Sequence, residues 1–280
     1  MKRPISKFAW LTFGDYLQQI THSLGKLLIL PLVLLIIFAT SIPSAYAQSA
    51  RLTPRQVVEY ALTLEKLESD FYTKAIAAAQ SGGLANAPRI AKDAIQAYGA
   101  DEAQHVTDLS AVLSSLGGDP EAITIPANPN YSAILKRDPF ANPQDFLLAG
   151  QYVEDLGVAA YKGQVQNLLA AGEAGKPVLA AALAIHSVEA RHAAGIRSLR
   201  QNLLGANVRP WIRNASEVIY QENRSNSPIP FNSDAFDGYA TRDEVLALVA
   251  PILTTRQSST TTRQPSTNRD NMNRPVRALW

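Results

Sequence analysis

Asp101-Glu102-Ala103-Gln104-His105 and Val188-Glu189-Ala190-Arg191-His192 are the two stretches that decide the fold. Each contains Glu-x-x-His, and together they hold two of the three histidines found after residue 47. Residues three apart on a helix lie side by side on one face, so each Glu and His can grip one metal ion or bridge two. With 11 Glu and 3 His among residues 48–280, composition alone gives about 0.14 such pairs. Two are present.

The chain around them is punctuated by proline and glycine. Proline in a first helical turn costs no hydrogen bond, and glycine past the last turn relieves a left-handed cap. Thr53-Pro54 opens a segment free of Gly and Pro up to Gly82-Gly83, and Pro88 opens a second that runs to Gly117-Gly118, interrupted by Gly99. Asn142-Pro143 opens a third, ending near Gly172, and Gly175-Lys176-Pro177 opens a fourth, ending near Gly205. Thr53 and Asn142 are suited to cap their helices. Each segment has about 27 to 29 residues, or roughly 40 Å of helix. Short links join the first to the second and the third to the fourth, which predicts two antiparallel hairpins. More than twenty residues separate Gly118 from Asn142, enough for a long crossover between the hairpins. The expected fold is all-α, a four-helix bundle over 51–205.

The first and third segments share a second pattern. Glu65 is followed seven residues later by Tyr72, and Glu154 by Tyr161. Seven residues make two turns, so each pair shares a face. Counted from the opening prolines, Glu65, Glu102, Glu154 and Glu189 fall at similar depths, and 54–116 and 143–203 read as a duplicated hairpin. Val58, Leu62, Ile95, Leu109, Leu147, Val158, Ile185 and Ile196 flank them at helical spacing, which predicts burial. A carboxylate on an apolar face is costly unless paired or metal-bound. Four Glu and two neutral His around two divalent ions sum to zero charge, the ligand arithmetic of the di-iron and di-manganese carboxylate bundles.

At these residues the chain resembles the ferritin-like superfamily, and more closely the exported ferritin-like domain proteins that include plant desiccation-related proteins. The likeness rests on Leu64-Glu65, Glu68, Phe71-Tyr72, Asp101-Glu102-x-x-His105, Glu154 with Tyr161, and Ser187-Val188-Glu189-Ala190-Arg191-His192. It implies Glu65, Glu102, His105, Glu154, Glu189 and His192 as metal ligands, with Tyr72 and Tyr161 beside the metals as the candidate catalytic residues. Asp101 would orient a histidine ligand, as acids next to metal-bound histidines do; Val188 stands at the matching place. Glu68 is open to two readings, a further ligand or a partly exposed carboxylate, and Gly157 occupies its counterpart position. His186, one turn before Glu189, fits a ligand, a donor to a ligand, or a core histidine.

Composition narrows the function classes. The 280 residues are 46% hydrophobic and 18% charged with a net charge of +2, which excludes a disordered chain and gives no nucleic-acid footprint. There is no cysteine, so disulfide, thiolate-metal and cysteine-nucleophile chemistry are excluded. Lys2, Arg3, Lys7 and Lys26 precede an apolar run from Leu27 to Ala39, followed by Ala45-Tyr46-Ala47. Basic, apolar and A-x-A regions in that order mark a signal peptide over 1–47, with export to a periplasmic or secreted location. Membrane contact is expected only if that leader stays uncleaved. Residues 206–253 read as an irregular wrap with a short helix from Thr241 to about Leu253, and 254–280 as a disordered tail.

The resemblance implies a di-metal protein, iron ahead of manganese, that works as an oxidase or peroxidase on iron or peroxide in stress. Its partners would be the metal ions and oxygen or peroxide. A second reading is a non-enzymatic stress, desiccation-related or structural protein with a structural or vestigial metal site. Iron storage in a cage is a third, against which the long C-terminal extension argues.

Overall fold

The computed structural model describes residues 51–212 and 237–254. The expected leader 1–47, residues 213–236 of the expected wrap, and all but Thr254 of the expected tail 254–280 lie outside the described residues. The described chain is helical without strands: α1 (Pro54–Ser81), α2 (Arg89–Ser115), the short α3 (Ser132–Leu135), α4 (Pro143–Gly163), α5 (Val165–Ala170), α6 (Lys176–Leu204) and α7 (Arg242–Val249). The helix starts are where their caps place them. Thr53 and Gln56 form a capping box, the Gln56 N–H donating to Thr53 Oγ1 at 3.3 Å and the Thr53 N–H to Gln56 Oε1 at 2.9 Å. Asn142 Oδ1 accepts from the Asp145 N–H at 2.9 Å, and Gly205 ends α6 in the left-handed region with φ of 65°. Thr241 and Glu244 repeat the capping box at α7. That helix stops at Val249, short of Leu253, because Pro251 has no N–H to continue the hydrogen-bond ladder.

Helix α1 packs chiefly against α2, and α4 against α6, which gives the two antiparallel hairpins. The crossover between them is held by its own contacts. Lys66 donates to the carbonyls of Pro120 and Ile123 at 2.9 and 2.7 Å, and the Tyr131 hydroxyl donates to the Leu67 carbonyl at 2.7 Å. A buried ion pair, Asp155 with Arg197 at 2.7 Å, ties α4 to α6.

The third helix differs from the continuous one expected to reach Gly172. It breaks at Gln164, whose N–H turns to the Tyr161 carbonyl at 3.1 Å, three residues back instead of four. The cause is a second chain segment. The Ala240 N–H donates to the Ala159 carbonyl at 3.0 Å, and a Cβ at Gly163 would lie 1.8 Å from the Ala240 oxygen. The C-terminal segment thus approaches α4 closer than a side chain would permit, and the helix ladder tightens there.

Along the bundle the core is layered. One apolar layer holds Val57, Leu62, Leu109, Leu113, Leu168, Val178 and Ile185; the other holds Phe71, Ala75, Ile95, Phe146, Leu147, Ile196 and Leu199. The antiparallel helices carry Glu65, Glu102, Glu154 and Glu189 through the gap between these layers. Helix α7 adds Val245 and Val249 to a third cluster with Tyr60, Leu64 and Leu67 of α1.

Gly163→Ala should displace the 237–254 segment while leaving the hairpins intact. The expected signature is a loss of about 1–3 kcal/mol in thermal or denaturant unfolding, with faster proteolysis near Ala240.

Candidate metal centre

Helical spacing turns the four glutamates and two histidines inward at one depth, as the sequence predicts. Glu65, Glu102 and Glu189 are wholly inaccessible, and Glu154, His105 and His192 are buried. Their donor atoms converge in two groups: Glu65, Glu102, His105 and Glu189 in one, and Glu102, Glu154 and His192 in the other. Glu102 belongs to both. Its Oε2 lies 3.1 Å from His105 Nδ1 and its Oε1 lies 2.9 Å from His192 Nδ1, so the carboxylate bridges the two halves. His105 Nδ1 is also 3.2 Å from Glu65 Oε2 and 3.5 Å from Glu189 Oε1. His192 Nδ1 is 3.5 Å from Glu154 Oε2.

These residues fit divalent metals on the evidence of their unsatisfied atoms. Glu102 Oε1, Glu154 Oε2, both oxygens of Glu189 and His192 Nδ1 are buried without a hydrogen-bond partner. Buried polar atoms are otherwise nearly always paired. The His192 Nδ1 and Glu102 Oε1 atoms are close yet not aligned as a hydrogen bond, an arrangement suited to a cation between lone pairs. Carboxylate oxygen and imidazole nitrogen are ligands for iron and manganese alike.

The tyrosines serve across the bundle. Tyr72 of α1 donates its hydroxyl to Glu154 of α4, and Tyr161 of α4 donates to Glu65 of α1. Spacing showed only that each tyrosine shares a face with the glutamate of its own helix. Asp101 likewise reaches the opposite hairpin, its Oδ2 2.9 Å from His192 Nε2. With the proton held on Nε2 by this acid, Nδ1 is free to bind a metal. Val188 offers His105 no such acid. Tyr98, one turn before Glu102 on α2, stacks on the His192 ring with centroids 4.2 Å apart.

Glu68 is not a partly exposed carboxylate. It is buried, its Oε2 unpartnered, and it stands beside Glu189. Gly157 makes this possible, because a Cβ there would lie 2.3 Å from Glu189 Oε2 and 3.1 Å from Glu68 Oε1. The pairing of Glu68 with Gly157 was visible in the sequence as an asymmetry, without its steric reason. His186 does not join the cluster. It is half-buried near Lys162 and Asp237, with burial pulling its pKa down.

Without metals, protons fill the site. Burial lowers the pKa of both histidines, but the carboxylates around them outweigh it, raising His105 to about 10 and His192 to about 11. Burial pushes Glu65 up to about 8, and Glu68 and Glu189 well above the usual carboxylate range. Glu102 alone goes down, to about 2, burial being overcome by its contacts with both histidines.

A family model for the ferritin-like domain matches residues 54–202. The chain belongs to the ferritin-like domain family, in agreement with its two hairpins, long crossover and buried acid–histidine cluster. Comparison with curated proteins and with solved structures returns no significant match.

The raised pKa values set the direction of two pH effects. In the metal-free protein, His105 and His192 contribute stability that is complete below their ordinary value of 6.5 and lost as pH rises through about 10 and 11. Glu65, also raised, works in the same direction as pH rises through about 8. Metals must displace those protons. The metal-free melting temperature should therefore fall between pH 6 and 9, while Mn(II)-loaded protein should not follow it. Loading in weak buffer at pH 7 should release two or more protons per chain.

Proposed function

We propose that the protein is an exported di-metal carboxylate enzyme, with iron as its metal, acting as an oxidase or peroxidase on iron or peroxide in stress. The observation that carries this reading is the bridging position of Glu102, one histidine Nδ1 at each of its oxygens. Two iron ions at these donors would supply the electrons for reducing oxygen or peroxide. The remaining roles belong to the chain. Asp101 fixes the His192 tautomer, while Tyr72 and Tyr161 hold Glu154 and Glu65 in place and keep a proton at each carboxylate. An opening over the α2–α6 seam is lined by His105 and His192 together with Asp101, Gln104, Asp108 and Arg191, a route by which small molecules such as peroxide would reach the site. Export is supported by the basic, apolar and A-x-A order of residues 1–47.

A second reading, a desiccation-related or structural protein whose metals only staple the bundle, draws support from the burial of every ligand between two apolar layers. The two differ in turnover. Iron-loaded protein should consume oxygen or peroxide catalytically, and Tyr72→Phe or Tyr161→Phe should slow this by about tenfold or more with metal content unchanged. Bound iron that does not turn over would favour the structural reading.

A further inference from the structure

The two metal positions share Glu102 but are not built alike. His192, the histidine of the position formed with Glu154, is held from two directions. Asp101 Oδ2 lies 2.9 Å from its Nε2 at the ring edge. Tyr98 covers the ring face, with centroids 4.2 Å apart and planes 27° from parallel. Tyr98 in turn packs edge to face against Tyr72, centroids 6.2 Å apart, and Tyr72 donates its hydroxyl to Glu154. One ring therefore packs against both the histidine of this position and the side chain that holds its glutamate.

The stack depends on a glycine. Gly195 lies three residues after His192 on α6, and a Cβ there would fall 1.8 Å from the Tyr98 hydroxyl oxygen and 3.0 Å from the ring carbon that bears it. Any side chain at 195 would push the tyrosine off its place over His192. The other half of the molecule lacks these parts. By their offsets from the two Glu-x-x-His motifs, Tyr98, Asp101 and Gly195 correspond to Ile185, Val188 and Asp108. Ile185 and Val188 can supply neither an aromatic face nor a carboxylate to His105.

A histidine ring left to itself swings over a broad range about its last torsion. Holding it in the binding orientation beforehand removes an ordering cost from metal uptake. An imidazole bound to a divalent ion also gives up electron density, and a ring with positive character is attracted to a phenol face. Both effects favour the metal-bound state over the empty one. We infer that Tyr98 is a positioning residue for the Glu102–Glu154–His192 position. Stacked on His192 and braced on Tyr72, it keeps Nδ1 turned toward Glu102 and Glu154, and the other position does not depend on it. The inference rests on the di-metal reading above and assigns unlike support to the two ions.

The test is titration of the metal-free full chain with Co(II), followed by visible absorption and by metal content after desalting. Wild type should take up about two ions. Tyr98→Leu should weaken one of them about tenfold and alter its absorption, while Tyr98→Phe, which keeps the stack, should match wild type. In a Glu154→Ala background, where the Glu65–Glu102–His105–Glu189 position remains, Tyr98→Leu should change nothing. If Tyr98→Leu fails to fold, Gly195→Ala displaces the ring while keeping Tyr98 and every ligand. It should weaken the same ion, and adding Tyr98→Phe, which removes the clashing oxygen, should restore most of the affinity. Two ions held as tightly in Tyr98→Leu as in wild type would overturn the inference alone. So would equal losses in Tyr98→Leu and Tyr98→Phe, or a loss in the Glu154→Ala background. A wild-type chain that takes up no Co(II) would overturn it together with the di-metal reading.

Discussion

Five glutamates at the middle of an apolar bundle are the constraint on which the rest depends. Glu65, Glu68, Glu102, Glu154 and Glu189 are buried at one depth, between a layer around Leu62 and Leu113 and a layer around Phe71 and Phe146. Unpaired buried charge costs several kcal/mol per group, and the net stability of a whole domain is only about 5–15 kcal/mol. The cluster therefore cannot stay fully ionised without cations. Protons on the histidines and carboxylates meet the need in the metal-free protein, and two divalent ions at these donors would meet it in a loaded one. Glu68 adds a fifth negative charge to four glutamates that two such ions already balance. A proton on Glu68, whose pKa burial raises, removes the excess.

The duplicated hairpins would give a symmetric centre, and this chain departs from symmetry in two places. Asp101 orients His192, while Val188 leaves His105 without an acid of its own. Glu68 stands on α1, while its counterpart on α4 is Gly157, whose missing Cβ admits both Glu68 and Glu189. The crossed tyrosine contacts keep the symmetry that remains and bind α1 to α4 across the bundle. Asymmetry also divides the surroundings. One opening, lined by both ligand histidines, lies over α2 and α6, and another, lined by Glu68 and Gly157, over α1 and α4.

Much of this was legible in the sequence because helical periodicity is local information. Proline and glycine placed the helix ends, and the Glu-x-x-His spacing located four of the six side chains that converge in space. The matching depth of Glu65 and Glu154 followed from counting along each helix. What periodicity omits is which helix faces which. The partner of each tyrosine, the reach of Asp101 to His192 and the stacking of Tyr98 on that ring are contacts between hairpins. Spacing within one helix carries no record of them. The break at Gln164 was hidden for the same reason, since it is imposed by Ala240, a residue distant in the chain.

The central claim is that Glu102 joins two metal positions, and metal content tests it most directly. The protein should be loaded with Fe(II) without oxygen, desalted and analysed for iron beside Glu102→Ala and Glu154→Ala. About two ions per chain are expected for wild type, with Glu102→Ala losing both and Glu154→Ala retaining close to one. A wild-type chain that holds no iron, or a Glu102→Ala variant that holds as much as wild type, would contradict the account.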